Sequence, residues 1–162
     1  MNKIIEFEEF LASVSEQNQE FVKELHNQLM ESGCKIEIKS AKAVIWFLTC
    51  IIRRQLLITC SAKGMLARIY GVHVNEYEEV LETLPDELIR AIQAAPICKR
   101  LADPDACNPK CAKGFEFWLR GEHYQKCRNS AFMFLVCPQN NPSIRLLLLK
   151  EVEAWKKSPN LF

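Results

Sequence analysis

Four cysteines in the second half of the chain are the strongest candidates for a chemical site. They follow the pattern C-x8-C-x3-C-x15-C and are Cys98, Cys107, Cys111 and Cys127. Zinc prefers four thiolate or imidazole ligands in a tetrahedron, commonly taken from pairs about two to four residues apart on a tight turn. Cys107 and Cys111 fit one such pair, and Cys98 with Cys127 would supply the other. The pattern therefore predicts one zinc ion, with His123 as a substitute ligand.

A zinc ion held by four cysteines would be structural, because four thiolates leave no open position for a water or a substrate. The metal would stabilise residues 98–113, a segment rich in turn residues and poor in apolar ones. The pattern lacks the two C-x2-C pairs of many zinc sites, so two other interpretations stay open. The cysteines could be buried thiols without a ligand, or they could hold an iron–sulfur cluster or form a redox pair.

The other four of the 8 cysteines have a different setting in the sequence. Cys50, Cys60 and Cys137 lie inside apolar strand patterns, where small core residues are expected. Cys34 directly follows Gly33 at the end of a predicted helix, and we expect it to be more exposed. None of the four is predicted to bind metal.

One strand-like segment, from Val44 to Ile52, is apolar on both faces. A strand with one face in water should alternate apolar and polar residues. The segment is therefore either covered by helices on both sides, or one of its faces lines an apolar cavity or a dimer contact. For the cavity, which would bind an apolar small molecule, the predicted wall is Trp46, Leu48, Ile58 and Ile69, with His73 at the edge.

No familiar catalytic arrangement occurs in the sequence. It has no G-x-S-x-G, no H-E-x-x-H and no glycine-rich phosphate loop. No catalytic residue is predicted. If the protein were an enzyme, Cys34 or His73 at the edge of the pocket would be the candidate side chains.

Charge and hydropathy predict a cytoplasmic protein. Its 21 basic and 20 acidic residues are interspersed, which offers no patch for nucleic acid or an anionic membrane surface. The start of the chain lacks the apolar run of a signal peptide, and no apolar run approaches the roughly 20 residues of a membrane helix. Disulfides rarely persist in a reducing compartment, which favours metal or free thiols for the cysteines.

Hydrophobic periodicity predicts an α+β fold, in which helices pack on an antiparallel sheet. The first half contains two predicted helices and then a meander, at residues 6–12, 14–32, 35–39, 43–52, 56–61 and 65–70. The second half contains helices at 74–82 and 85–95, strands at 115–119 and 131–137 around Gly121, and a final helix from Asn141. The 162 residues are predicted to form one domain, 1–162, with a cysteine-rich loop and hairpin at 98–128.

Two stretches are similar to known bacterial proteins. The helix ending at Gly33, the segment Cys34-Lys-Ile-Glu-Ile-Lys-Ser-Ala-Lys42, the meander and Pro85-Asp-Glu-Leu-Ile-Arg90 resemble the YdhG-like proteins, a domain of unknown function. This resemblance covers residues 14–95 and implies an α/β fold around an antiparallel sheet, without known catalytic residues. The stretch from Cys98 to Phe134 is similar to a cysteine-bearing group of uncharacterised proteins of anaerobic Firmicutes.

Three functional interpretations follow from these observations. The first is a small zinc-stabilised protein that binds an apolar small molecule or a protein partner through its apolar sheet. The second is an enzyme with a cysteine or histidine at the edge of the pocket. The third is a structural or interaction protein that forms a homodimer through the same sheet.

Overall fold

A computed structural model of the protein describes residues 3–40, 44–50, 53–61 and 64–157, with the strands at 44–50 and 53–61 described by their backbone. The chain divides into two compact units, one formed by Met1–Ile69 with Phe134–Phe162 and the other by Tyr70–Met133. Both units contain helices and strands, and the α+β class is confirmed. One domain over residues 1–162 stays a prediction.

A six-stranded sheet with the order β1-β2-β3-β4-β5-β8 forms the centre of the first unit. Its strands are β1 (Lys3–Ile4), β2 (Lys35–Ser40), β3 (Val44–Cys50), β4 (Arg53–Ser61), β5 (Gly64–Ile69) and β8 (Met133–Leu135). Neighbouring strands from β1 to β5 are antiparallel. The predicted meander is therefore confirmed.

The connection between β3 and β4 is shorter than the sequence predicts. Arg53 and Arg54, expected in the connection, are the first residues of β4 and pair with Cys50 and Thr49. The register shifts between Leu48 and Thr49, and such a bulge lets pairing continue with one strand longer than its partner. The outer residues of the predicted strand, 43, 51 and 52, lie outside the described residues.

Three helices belong to the first unit, namely α1 (Phe7–Ser13), α2 (Glu16–Glu31) and α6 (Asn141–Lys157). Helix α2 contacts β2, and α6 contacts β4 and β5. Their inward faces supply the fully buried core residues Val22, Leu25, Leu29, Ile144, Leu148 and Trp155. The three helices predicted at the two ends of the chain are confirmed.

Helix α2 ends in a turn that buries Cys34. Gly33 has φ +83°, its amide donates to the carbonyl of Met30, and the amide of Cys34 donates to that of Leu29. This is the Schellman pattern, in which glycine takes the left-handed position at no steric cost. The pattern turns Cys34 inward at 4% exposure, so the expectation of an exposed Cys34 is wrong.

Helix α1 covers one side of α2 and half-buries its histidine. The ring of Phe7 stacks on that of His26, with the centroids 3.7 Å apart and the planes 9° from parallel. Burial lowers the pKa of His26, and the carboxylate of Glu8 raises it by a smaller amount. Burial of this histidine therefore favours the neutral imidazole.

The second unit combines short helices with a hairpin. A 3-10 turn (Val74–Glu76) and α3 (Glu78–Leu81) replace the single helix predicted at 74–82, and α4 (Asp86–Ala94) follows as predicted. Pro85 is the N-cap of α4 and not its first residue. The remaining elements are α5 (Lys99–Ala102), β6 (Phe115–Leu119) and β7 (Glu122–Lys126).

The hairpin of the second unit differs from the predicted one in its second arm. Strand β6 pairs with β7 and not with the apolar segment 131–137, of which β8 joins the six-stranded sheet. Arg120 and Gly121 both have positive φ, 52° and 76°, as a two-residue type I′ turn requires. Strand β7 has four polar residues of five, and its burial rises only towards Lys126. The alternation that reveals a half-buried strand is therefore weak there.

Candidate metal centre

Two of the predicted zinc ligands lie on paired stretches of backbone. The amide of Cys98 donates to the carbonyl of Gln125 over 2.9 Å, and the amide of Cys127 donates to that of Pro96 over 2.8 Å. An antiparallel bridge between Ile97 and Lys126 lies between these two hydrogen bonds. Cys98 is also the N-cap of α5, and Cys127 directly follows β7. Cys98 and Cys127 therefore lie on adjacent stretches of backbone, one at the start of α5 and the other directly after the hairpin.

Gly114 packs directly against Cys98. The amide of Gly114 donates to the Sγ of Cys98 over 3.2 Å, and Cys98 is buried at 9% exposure. A Cβ on Gly114 would meet the carbonyl oxygen of Lys126 and would lie 2.7 Å from the Cβ of Cys98. Only glycine lets the backbone approach the cysteine this closely. Its amide therefore comes within hydrogen-bonding distance of the sulfur.

The loop that carries the other two cysteines is held by local polar contacts. The amides of Asp105 and Lys110 donate to the side-chain oxygens of Asp103 and Asn108, over 3.0 Å and 2.9 Å. Such Asx turns replace regular secondary structure in segments without apolar anchors. Cys107 is exposed and has φ +67°, whereas Cys111 is half-buried.

Arg100 connects α5 to this loop. Its Nη1 donates to the carbonyls of Asn108 and Pro109, each over 3.2 Å, and also to the carbonyl of Cys111. One guanidinium nitrogen therefore binds three carbonyl groups at the turn between Cys107 and Cys111. The arginine therefore joins the start of α5 to the turn before Cys111.

Lys126, the residue before Cys127, connects the hairpin to the end of α4 through hydrogen bonds. Its side chain is 5% exposed, and its Nζ donates to the carbonyls of Gln93 and Ala95 over 2.6 Å and 2.7 Å. These carbonyls end α4, where a cation complements the helix dipole. Burial lowers the pKa of Lys126. The ammonium therefore fixes the backbone from which Cys127 extends.

His123, the predicted substitute ligand, is engaged on the outer face of the hairpin. Its Nε2 lies 3.4 Å from a carboxylate oxygen of Glu116, and its ring centroid lies 5.2 Å from that of Trp118. Trp118 is 55% exposed. The structure therefore places His123 in a surface cluster with an aromatic and an acidic side chain.

The donor set has the right chemistry for zinc, although it is not gathered as a finished metal site. Over the described parts of the chain, no group of three or more His, Cys, Asp or Glu side chains is arranged to hold a metal ion. Cys98 and Cys127 lie on paired stretches of backbone, and Cys107 and Cys111 flank one turn. The four-cysteine zinc site stays a prediction, with the sulfur-directed amide of Gly114 in its favour.

The residues predicted to line an apolar pocket fall in both units. Trp46 and Ile58 are Cα partners in the β3–β4 register, and Ile69 on β5 is 1% exposed. Leu48 pairs with Leu56, which in turn pairs with Ile69. His73 is buried at 6% exposure in the second unit. The four wall residues lie on neighbouring strands, and the pocket itself stays a prediction.

Three residues that contact the cysteine segments were not predicted from the sequence, namely Arg100, Gly114 and Lys126. A glycine directly before an alternating strand is a recognisable sign of close backbone approach. The roles of Arg100 and Lys126 have no such sign, because both side chains bind carbonyl groups that are distant in sequence.

No family model, curated protein or solved structure matches this chain. The resemblance to the YdhG-like proteins therefore stays a prediction. Among the helices that the structure describes, none is long and apolar enough to cross a membrane.

Proposed function

We propose that the protein is a zinc-stabilised binding protein of the cytoplasm. Cys98, Cys107, Cys111 and Cys127 bind one structural zinc ion in the second unit. The sheet of the first unit binds a small apolar molecule or a protein partner. The zinc ion has no catalytic role, because its four coordination positions are filled by thiolates.

The observation that carries the zinc proposal is the hydrogen bond from the Gly114 amide to the Sγ of Cys98. Donors directed at cysteine sulfur are typical of metal–thiolate sites, in which they tune the ligand. The other support is the loop itself, which presents Cys107 and Cys111 on a turn gathered by Arg100. Metal binding would bring the four sulfur atoms together, since such sites form together with local folding.

Metal content of the untagged protein tests the proposal. We expect about one zinc ion per chain by plasma mass spectrometry, and the release of about four additional reactive thiols after chelation. Chelation should also unfold the segment 98–113, because bound zinc contributes directly to folding. Hydrogen exchange of the Cys111 and Gly114 amides would report that loss.

A pair of serine variants provides the control for this measurement. Cys111→Ser should lose most of the zinc, whereas Cys137→Ser, at a half-buried cysteine of the first unit, should retain it. Protein that carries no zinc and gains no reactive thiols on chelation would contradict the proposal.

The proposal for the sheet is supported by the composition and pairing of its central strands. Trp46, Leu48 and Ile58 lie on two adjacent strands whose register is continuous with the buried Ile69. We expect a fitting apolar fragment to raise the melting temperature by roughly 5 °C or more at a hundredfold excess over its dissociation constant. Unchanged melting across a broad library, together with a monomeric mass by light scattering, would contradict binding of either a small ligand or a second copy.

The enzyme interpretation has less support. Its two candidate side chains, Cys34 and His73, are both buried, at 4% and 6% exposure. Side chains buried this deeply offer a substrate little access.

A further inference from the structure

The register of the six-stranded sheet assigns its residues to two faces. Cross-strand partners share a face. One continuous row of partners runs from β2 to β5 and consists of Ile38, Trp46, Ile58 and Ala67. The two ends of this row, Ile38 and Ala67, are buried at 5% and 0% exposure. This side of the sheet therefore faces the core, and we call it the inner face.

The neighbouring row lies on the opposite side, because successive residues of a strand alternate between faces. It consists of Glu37, Phe47, Leu57 and Arg68. Its two ends are accessible, since the side chain of Glu37 is 52% exposed and Arg68 is half-buried. We call this side the outer face.

The next row of the outer face continues the same pattern. It consists of Lys39, Ile45, Thr59 and Leu66. On the edge strand β8, Leu135 extends the face, because it is 43% exposed and its Cδ1 would lie 3.2 Å from a Cβ on Gly64. Ile45, Phe47 and Leu57 therefore hold central register positions on a face whose described residues are exposed or half-buried.

An apolar centre on a face that the described residues leave open indicates an interaction surface. A strand face that meets water normally carries polar residues, and large exposed apolar patches in soluble proteins mark binding sites. An open sheet face does not enclose a small molecule, which needs a concave pocket. Another sheet fits it better, because two sheets pack face to face at a spacing of about 10 Å.

The size of the outer face suits a dimer. Strands lie about 4.8 Å apart and rise about 3.3 Å per residue, so the six strands present a face of roughly 25 Å by 20 Å. Side chains project from this area of about 500 Å² and expose more surface than the projected value. A stable interface buries about 800 Å² per partner, which a second sheet lying across the whole face would reach.

The charges at the two ends of the Phe47 row make the outer face complementary to itself. A twofold axis that runs parallel to the strands, between β3 and β4, lays β2 of one copy over β5 of the other. Glu37 and Arg68 lie at opposite ends of one row, so each Glu37 then faces Arg68 of the other copy. Isologous dimers make every contact twice, and opposite charges across an interface fix its register.

We propose that the protein forms a homodimer in which the outer faces of two copies pack together. Phe47 and Leu57 hold the central positions of the interface, and two ion pairs between Glu37 and Arg68 form at its borders. This inference rests on the proposed partner-binding role of the sheet, and it names the partner, the face and the symmetry.

Sedimentation equilibrium measures the dimer and the contribution of its centre. At tens of micromolar, the wild type should have twice the mass of one chain. Leu57→Lys places an ammonium at the centre of the interface and should raise the dissociation constant by at least about 30-fold, the effect of losing an interface hot spot. Leu146→Lys is the matched control, because Leu146 is an exposed residue of α6 in the same unit, and it should stay within about twofold.

Exchange of the two border charges tests the symmetry. Glu37→Arg and Arg68→Glu each put like charges opposite each other, and each should weaken the dimer about 10-fold or more. The double variant restores opposite charges and should return to within about threefold of the wild type. Within one chain the two residues lie three strand spacings apart, about 14 Å, so this restoration cannot arise inside one copy. A double variant no tighter than Glu37→Arg would refute the pairing.

The outcomes separate this inference from the proposed function. A dimer that keeps its affinity in both Leu57→Lys and Glu37→Arg uses another surface, which refutes the inference and leaves partner binding intact. A monomeric wild type that an apolar fragment stabilises refutes the inference and leaves the small-molecule proposal standing, whereas a monomer that no fragment stabilises removes both. Should Leu57→Lys or Arg68→Glu not fold, Glu37→Arg, at an exposed position, still decides between these outcomes.

Discussion

Replacing Gly114 with alanine is expected to lower the free energy of unfolding of the Tyr70–Met133 unit by about 3 kcal/mol or more. The added Cβ would meet the carbonyl oxygen of Lys126, and it would lie 2.7 Å and 3.0 Å from the Cβ and Sγ of Cys98. Two of these three atoms belong to Cys98, which is buried and held by its backbone pairing with Gln125. The backbone oxygen of Lys126 and the Cβ of Cys98 cannot rotate away, so the backbone of the hairpin or of the cysteine segment must move.

Native-state hydrogen exchange of the β6 and β7 amides would measure this effect in the second unit alone. Gly121→Asn is the matched control, because Gly121 has φ +76° and no atom within 4 Å of an added Cβ, and asparagine tolerates that φ. If Gly114→Ala were no less stable than Gly121→Asn, the close approach of Gly114 to Cys98 would not exist in solution.

Replacing Lys126 with methionine is expected to destabilise the same unit by about 2 to 3 kcal/mol. Methionine keeps the apolar stem of the side chain but removes the ammonium that binds the carbonyls of Gln93 and Ala95. Both carbonyls end α4, and Lys126 is 5% exposed, so little water replaces the lost donor. Part of this cost is offset because methionine does not carry the desolvation penalty of a buried ammonium. The same penalty lowers the pKa of Lys126 in the folded protein.

Denaturation monitored through the exchange of the α4 and β7 amides would detect the loss. Lys99→Met is the control, because Lys99 is an exposed residue at the start of α5, and its change should fall within about 0.5 kcal/mol. A stable Lys126→Met protein in which the end of α4 keeps its protection would show that the ammonium contributes nothing net.

The elements that the sequence analysis located correctly are those with a strong internal period. Helix α2 has apolar residues at helical intervals and a glycine at its end, and both properties are local. The antiparallel meander from β2 to β5 was likewise evident from short apolar runs separated by turn residues. The four-cysteine pattern was also evident from residue type and spacing, and the zinc ion that it predicts stays a prediction.

The sequence by itself thus determined the α+β class, the main helices and the meander, because each depends on neighbouring residues. Only the tertiary structure decided which strand pairs with β6, since a polar strand such as β7 is stabilised by its partner and its turn. The burial of Cys34, the close approach of Gly114 to Cys98 and the contacts of Arg100 and Lys126 were also decided there. Each of these depends on backbone atoms that are distant in sequence and brought together only by folding.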